Sequence, residues 1–254
     1  MGDITEVTGM VLSAMPVGEF DRRVVLLTRE RGKISAFAKG ARRPNSPLTG
    51  VTRAFVFGTF QMYEGRTSYT IRQANITNYF EDIITDLDAV CYACYFAELA
   101  DYYGRENLDA SVMINLLYAA LRALAKPKPG NELVRYVYEL RLISANGESP
   151  DFFTCQGCNE EKSSFYSFSK RTLGVYCEDC RRFASDAVVL NPSTVYTLQY
   201  IVTSPIEKLF SFIVNDEVLR QLSEVAGAIR RNAVDKTMKS LQMLELQEEI
   251  NVSE

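Results

Sequence analysis

Four cysteines in two pairs carry the clearest chemistry in this sequence. Cys155 and Cys158 flank Gln156-Gly157, and Cys177 and Cys180 flank Glu178-Asp179. Eighteen residues, Asn159 to Tyr176, separate the pairs. A four-thiolate zinc site has two Cys-x2-Cys knuckles about fifteen to twenty residues apart. A two-residue gap lets both thiolates of one turn reach the same ion, and the second turn completes a tetrahedron. Such a closed shell leaves no open coordination position, so the spacing predicts one structural Zn2+ and no metal-based catalysis.

Two other chemistries compete for these cysteines. Disulfides need an oxidising compartment, but Met1-Gly2-Asp3-Ile4-Thr5-Glu6 lacks the basic stretch and apolar core of a signal peptide. A redox Cys-x-x-Cys explains one pair and not two knuckles at zinc spacing. A third pair, Cys91 and Cys94, lies in the apolar run from Leu87 to Leu99. That run reads as a buried helix, where free cysteine serves as a small apolar residue.

The chain of 254 residues contains no histidine and no tryptophan. Lack of histidine removes the commonest general base and the Ser-His and Cys-His nucleophile systems. Neither a phosphate-binding Gly-x-x-x-x-Gly-Lys-Ser/Thr loop nor a Gly-x-Gly-x-x-Gly turn is present. The composition is that of an ordinary globular protein, with 47% hydrophobic and 24% charged residues. No apolar run approaches the roughly eighteen residues of a membrane span. These features predict a non-enzymatic protein of the cytoplasm.

Net charge is −4, which taken alone argues against a nucleic-acid ligand. Its distribution argues otherwise. Residues 1–79 hold 11 Lys/Arg against 6 Asp/Glu, residues 80–150 hold 6 against 11, and residues 151–254 hold 11 against 15. A polyanion meets a local patch, and the basic surplus is confined to the first third.

Three segments must position these groups. Residues 1–79 read as five short strands with Gly-containing turns: Thr5 to Ala14, Arg22 to Thr28, Lys33 to Gly40, Phe55 to Tyr63 and Tyr69 to Ala74. Ile34, Ala36 and Ala38 fall on one face. A five-stranded OB-fold barrel is the solution that commonly binds oligonucleotides. From residue 80 the period becomes helical, with helices expected over Ile83 to Tyr103, Ser111 to Ala125 and Asn131 to Ser144. The predicted architecture is α+β and multidomain: a barrel domain over 1–79, then a helical domain over 80–254. The zinc-binding insertion occupies 151–186, with hairpin strands at Phe165 to Ser169 and Gly174 to Tyr176. Asn191 or Ser193 caps the next helix around Pro192, and Glu217 to Glu249 reads as helical.

Arg22, Arg23, Lys33, Lys39, Arg42, Arg43 and Arg53 concentrate in the barrel segment. The densest piece, Lys39-Gly40-Ala41-Arg42-Arg43-Pro44-Asn45-Ser46, reads as a loop after a strand. Each cation that neutralises a phosphate releases a counterion, so such a loop suits a phosphate backbone. Phe37, Phe55, Phe57, Phe60 and Tyr63 share the barrel; strand aromatics usually face inward, and any exposed one could stack a base.

The order barrel, helices, four cysteines, helices resembles the RecO family of bacterial recombination mediators over essentially the whole length. The resemblance rests on Gly32-Lys33-Ile34 with Ala38-Lys39-Gly40-Ala41-Arg42-Arg43. It rests also on Tyr138-Glu139-Leu140-Arg141-Leu142-Ile143, then Gly147, Pro150 and the first knuckle, and on Lys239-Ser240-Leu241. It implies a non-enzymatic protein that binds single- and double-stranded DNA and anneals complementary strands. The implied partners are the acidic tail of single-strand binding protein (SSB) and RecR, with a functional link to RecA loading on SSB-coated DNA. That places the protein in the cytoplasm, associated with the nucleoid. The family's tail pocket lies in the helical domain, where Arg122, Arg135 and Arg141 are candidates to meet a carboxylate. The alternative is a protein-interaction adaptor whose barrel binds a partner protein, SSB or RecR, and whose DNA contact is incidental.

Overall fold

The computed structural model describes residues 4–66, 68–161 and 167–253. The chain divides into two compact units, Met1–Ala125 with Met238–Glu254, and Lys126–Thr237.

The first unit opens with β1 (Ile4–Val17), β2 (Asp21–Thr28), β3 (Gly32–Ala38), a short helix α1 (Leu48–Val51), β4 (Phe57–Glu64) and β5 (Tyr69–Asn78). The strands close into a barrel in the order β1-β2-β3-β5-β4, with β4 returning to β1. This is the five-stranded OB arrangement that the alternating segments predicted. Strict alternation fills the interior: Val7, Val11, Val24, Leu26, Ile34, Ala36, Phe60, Met62 and Ile71 form its core. β1 serves two partners. Ile4 to Met10 pair with β4, Gly9 to Val17 pair with β2, and the register shifts between Val11 and Ser13. Leu27, opposite Met10, is buried although it points out of the barrel, where helices cover β1 and β2.

Those helices are α2 (Glu81–Ile84), α3 (Leu87–Tyr103) and α4 (Ser111–Leu124). The helix expected over Ile83 to Tyr103 is therefore two. Asp86 adopts an extended conformation and its carboxylate accepts from the Ala89 N–H at 3.0 Å, starting α3 afresh. The last element of the sequence, α8 (Lys239–Ser253), packs on α3. The Glu98 carboxylate accepts from both Ser240 N–H and Ser240 Oγ, and Tyr92 Oη donates to Glu248 at 2.7 Å.

Barrel and helices meet at the β2–β3 turn. Gly32 has φ +63°, and a Cβ there would lie 2.0 Å from the Arg105 carbonyl oxygen and 2.6 Å from that of Leu108. Only glycine tolerates both the dihedral and the approach. Next to it, Lys33 Nζ donates to the Asp101 carbonyl at 2.6 Å and lies 3.3 Å from its carboxylate. A cation on the last turn of α3 matches the negative end of the helix dipole.

The second unit is built on α5 (Asn131–Ala145), with α6 (Pro192–Thr203) and α7 (Asp216–Ala233) against it. Asn191 caps α6 through the Ser193 N–H with Pro192 in its first turn, and Asn215 caps α7 through the Val218 N–H. Val218, Leu222, Val225, Ala226 and Ile229 form the buried face of α7. The helical pattern from Glu217 to Glu249 is thus divided between α7 and α8, in different units, by the stretch from Val234 to Met238. The core of α5 holds a charge. Glu139 is 1% exposed, and its carboxylate lies 3.1 Å from Arg135 Nε and 3.8 Å from Arg230 Nε. A small sheet β7-β6-β8, formed by β6 (Ser167–Ser169), β7 (Gly174–Tyr176) and β8 (Val188–Val189), completes the unit. Phe165 and Tyr166, expected in the first hairpin strand, lie outside the described residues. β8 was not expected. No described helix is long and apolar enough to cross a membrane.

Three substitutions test this framework. Gly32→Ala is expected to lower the unfolding free energy by about 2–4 kcal/mol in urea titration, through strain and contact with the 105–108 backbone. Gly50→Ala, where a Cβ meets nothing within 4 Å, is expected to stay within about 0.5 kcal/mol of the parent. Glu139→Ala leaves two cations without their carboxylate and is expected to cost about 3–5 kcal/mol.

Candidate metal centre and nucleic-acid interface

The two cysteine knuckles converge. The sulfurs of Cys155, Cys158, Cys177 and Cys180 all lie within 4.8 Å of one another, and all but Cys158 are buried. In a tetrahedral zinc thiolate with Zn–S of about 2.3 Å, neighbouring sulfurs sit about 3.8 Å apart, so the donor set fits such an ion. The local backbone makes the convergence possible. Gln156 N–H donates to the Val175 carbonyl at 3.0 Å, which pins the first knuckle to β7. Cys180 N–H donates to the Cys177 carbonyl at 3.2 Å, closing the second. A Cβ on Gly157 would fall 2.5 Å from Cys180 Cβ and 2.8 Å from its Sγ, so glycine is what lets the knuckles touch.

The electrostatics suit a thiolate cluster. Burial pushes the Cys155 thiol up, but the N–H groups of Cys177, Cys158 and Gly157 outweigh it and hold the group at about 6. Burial and the neighbouring thiols push Cys180 up to about 12. One thiolate is thus easily formed and further ones repel it, so four together require a cation between them.

The seven cations singled out in the barrel fall into two sets. Lys33 is bound to the end of α3. Arg22 donates to the Thr49 carbonyl at 2.9 Å and to Thr52 Oγ1 at 3.0 Å, holding the loop after β3. Arg53 lies 4.0 Å from the exposed Glu81 carboxylate. The second set points to solvent. Lys39, Arg42 and Arg43 are exposed, and among the described residues none of them forms an ion pair. Arg23 is exposed too and donates to Ser35 Oγ at 2.8 Å.

The β1–β2 turn anchors this exposed set. Asp21 accepts from the Gly40 N–H at 2.7 Å, where Gly40 has φ +68°. Arg42 N–H donates to the Phe20 carbonyl at 2.8 Å, and its guanidinium to the Gly18 carbonyl at 3.3 Å. Arg43 Cζ stands 5.1 Å from the centre of the Phe20 ring. One end of the barrel therefore presents fixed, unneutralised positive charge beside an aromatic ring. Of the aromatics singled out in the strands, Phe55 and Phe60 are buried, Phe37 is half-buried, and Phe57 packs on Tyr118 at 4.9 Å between ring centres. Tyr63 is exposed, 5.9 Å from Arg72 Cζ. Phe20 was missed because it stands in a turn, outside the strand pattern, although two residues before Arg22-Arg23 it shares a short basic-aromatic stretch.

The three helical arginines stand in different surroundings. Arg122 is exposed in the last turn of α4 and lines a cleft of about 340 Å³ with residues 77–83. Arg135 is buried against Glu139. Arg141 is half-buried, with one guanidinium N–H donated to the Val202 carbonyl; its Nε is buried without an acceptor among the described residues. Burial lowers its pKa from the usual arginine value. A groove of about 680 Å³ beside α6, lined by Tyr196, Tyr200, Phe212 and Ile213 among others, was also missed. Its only sequence signal is the i, i+4 spacing of the two tyrosines.

Two family models match the chain in order. "Recombination protein O N terminal" matches residues 1–80, and "Recombination protein O C terminal" matches residues 84–242. The DNA repair protein RecO of Acetivibrio thermocellus is 30% identical over 239 residues, covering 93% of this chain and 94% of that protein. The RecO of Desulforudis audaxviator is 31% identical over 235 residues, covering 92% and 94%. That of Alkaliphilus metalliredigens is 30% identical over 217 residues, covering 85% and 88%. With barrel and helical segments each matched and the relatives aligned over most of their length, this chain belongs to the RecO family of DNA repair proteins.

Proposed function

We propose that this protein is a non-enzymatic mediator of DNA repair and homologous recombination, which binds single- and double-stranded DNA and anneals complementary strands. The observation that carries the reading is the exposed cluster Lys39, Arg42 and Arg43, without an ion-pair partner among the described residues, on a barrel whose architecture commonly holds oligonucleotides. Each phosphate docked there displaces a counterion, so binding is strong at low salt although the whole chain is acidic. Annealing breaks and makes no covalent bond. It requires only that charge repulsion between two strands be lowered while their bases remain free to pair.

In the same reading the family's partners carry over: SSB through its acidic tail, RecR, and through them RecA on SSB-coated DNA. The tail meets the helical part of the chain, with Arg122, Arg135 and Arg141 as candidates. Of these only Arg122 is fully exposed and lines a cleft. The reading places the protein in the cytoplasm, at the nucleoid. The four cysteines hold Zn2+, because soft thiolates in a closed tetrahedron select it and the shell has no place for substrate. An adaptor function through the helical unit is favoured by one observation, the exposed aromatic groove beside α6.

Four measurements test the reading. Atomic absorption of purified protein is expected to give about one zinc per chain. Cys177→Ser or prolonged chelation is expected to melt the second unit at lower temperature, and a metal content of zero would sink the assignment. Anisotropy titration of a labelled single strand is expected to show at least a tenfold weaker affinity for Arg42→Glu/Arg43→Glu at moderate salt. The salt slope of the double variant should fall by about 1.5, the contribution of two phosphate contacts. Unchanged affinity removes the basic loop from the interface. On SSB-coated complementary strands, annealing is expected to drop when SSB lacks its C-terminal tail, and equal rates would exclude the tail as the docking element.

A further inference from the structure

The tip of the β1–β2 hairpin combines features that a phosphate site alone does not need. Phe20 is 37% exposed in the turn between two paired strands. Next to it on β1, Met15 is 54% and Val17 38% exposed, in register with Arg23 and Asp21. The strip is rigid: Val17 pairs with Asp21, Asp21 holds Gly40, and the Phe20 carbonyl holds Arg42. Arg43 lies over the Phe20 ring within the range of a cation–π contact. Ring and guanidinium thus form one platform, with further guanidinium and ammonium groups, Arg42 and Lys39, in the adjoining loop.

Exposed apolar surface on a soluble barrel finds its best partner in something apolar and flat. A duplex offers only phosphates and groove edges there, because its bases are stacked on each other. An unpaired base offers a π-face, and base–aromatic stacking is indifferent to sequence. Resting on the nucleic-acid reading above, we infer that Phe20, backed by Arg43, stacks an unpaired nucleobase, so that this end of the barrel takes single strands ahead of duplex. Arg42 and Lys39 hold the phosphates of the same strand. The hairpin then discriminates between two polyanions by a contact that salt does not screen.

The chain has no tryptophan, so Phe20→Trp introduces a single fluorophore at the proposed contact. Titrated with oligothymidylate, this variant is expected to be quenched, whereas a blunt duplex of equal length leaves its emission unchanged. Phe20→Ala is expected to weaken single-strand binding about tenfold, the scale of one lost stack. Its duplex affinity should change less than twofold, and its salt slope should match the parent. Unquenched tryptophan, or unchanged single-strand affinity in Phe20→Ala, overturns the inference. So does an equal loss for both DNA forms, which would make Phe20 only a support for Arg43. The Arg42→Glu/Arg43→Glu variant separates this from the underlying reading. If it loses both forms while Phe20→Ala loses neither, only the stacking is wrong. If it too binds both forms like the parent, the barrel-end interface itself is wrong.

Discussion

Backbone pairing along both edges of β1 is the constraint from which the first unit follows. A strand that hydrogen-bonds β4 over its first half and β2 over its second closes the sheet on itself. Closure removes the exposed edges that an open five-stranded sheet would present. It also sets length. β1 has finished with β4 at Met10, yet it must run on to Val17 to satisfy β2. Those extra residues lift the turn carrying Phe20 clear of the core, so the same pairing that seals the interior creates the projecting tip. The register shift between Val11 and Ser13 lets one strand follow two neighbours as they diverge.

The barrel uses its cations in two ways. Lys33 and Arg22 are drawn inward by carbonyl oxygens, at the end of α3 and in the α1 loop. Arg42 and Arg43 follow Gly40, which lies in the left-handed region and turns the chain away from the sheet, and Lys39 stands immediately before it. Position beside that turn, rather than residue type, decides which positive charges are available to a ligand. In the second unit a similar sorting separates Arg135, committed to the buried Glu139, from exposed residues of the same type.

Much of this was legible from residue pattern, and the exceptions share a cause. Period-two alternation located the strands because one face of each is sealed in the barrel; Ile34, Ala36 and Ala38 are buried as their spacing implied. The cysteine spacing brought four sulfurs together because a knuckle is a local object, set by a few adjacent residues. Hidden from pattern was whatever one or two residues decide against their neighbours. Asp86 interrupts an apolar helical run by capping a new helix. Phe55 takes φ +69° and delays β4 although it looks like its first residue. β8 is two valines long and both are exposed, so no periodicity announces it. Long-range pairings such as Lys33 with Asp101 join residues far apart in sequence, and nothing local marks them.

The packing of α8 on α3 has a consequence for how the molecule is made. Unit one is discontinuous: its helical layer is completed by residues synthesised after the whole of the second unit. During translation a nascent chain that has reached Thr237 already contains every element from α5 to α7, together with all four knuckle cysteines, while Glu98 and Tyr92 still await Ser240 and Glu248. Domains fold as units when their residues emerge. The order of maturation is therefore the reverse of what a simple N-to-C reading suggests. The interrupting unit can fold and bring its four sulfurs together first, and the barrel-bearing unit is finished last.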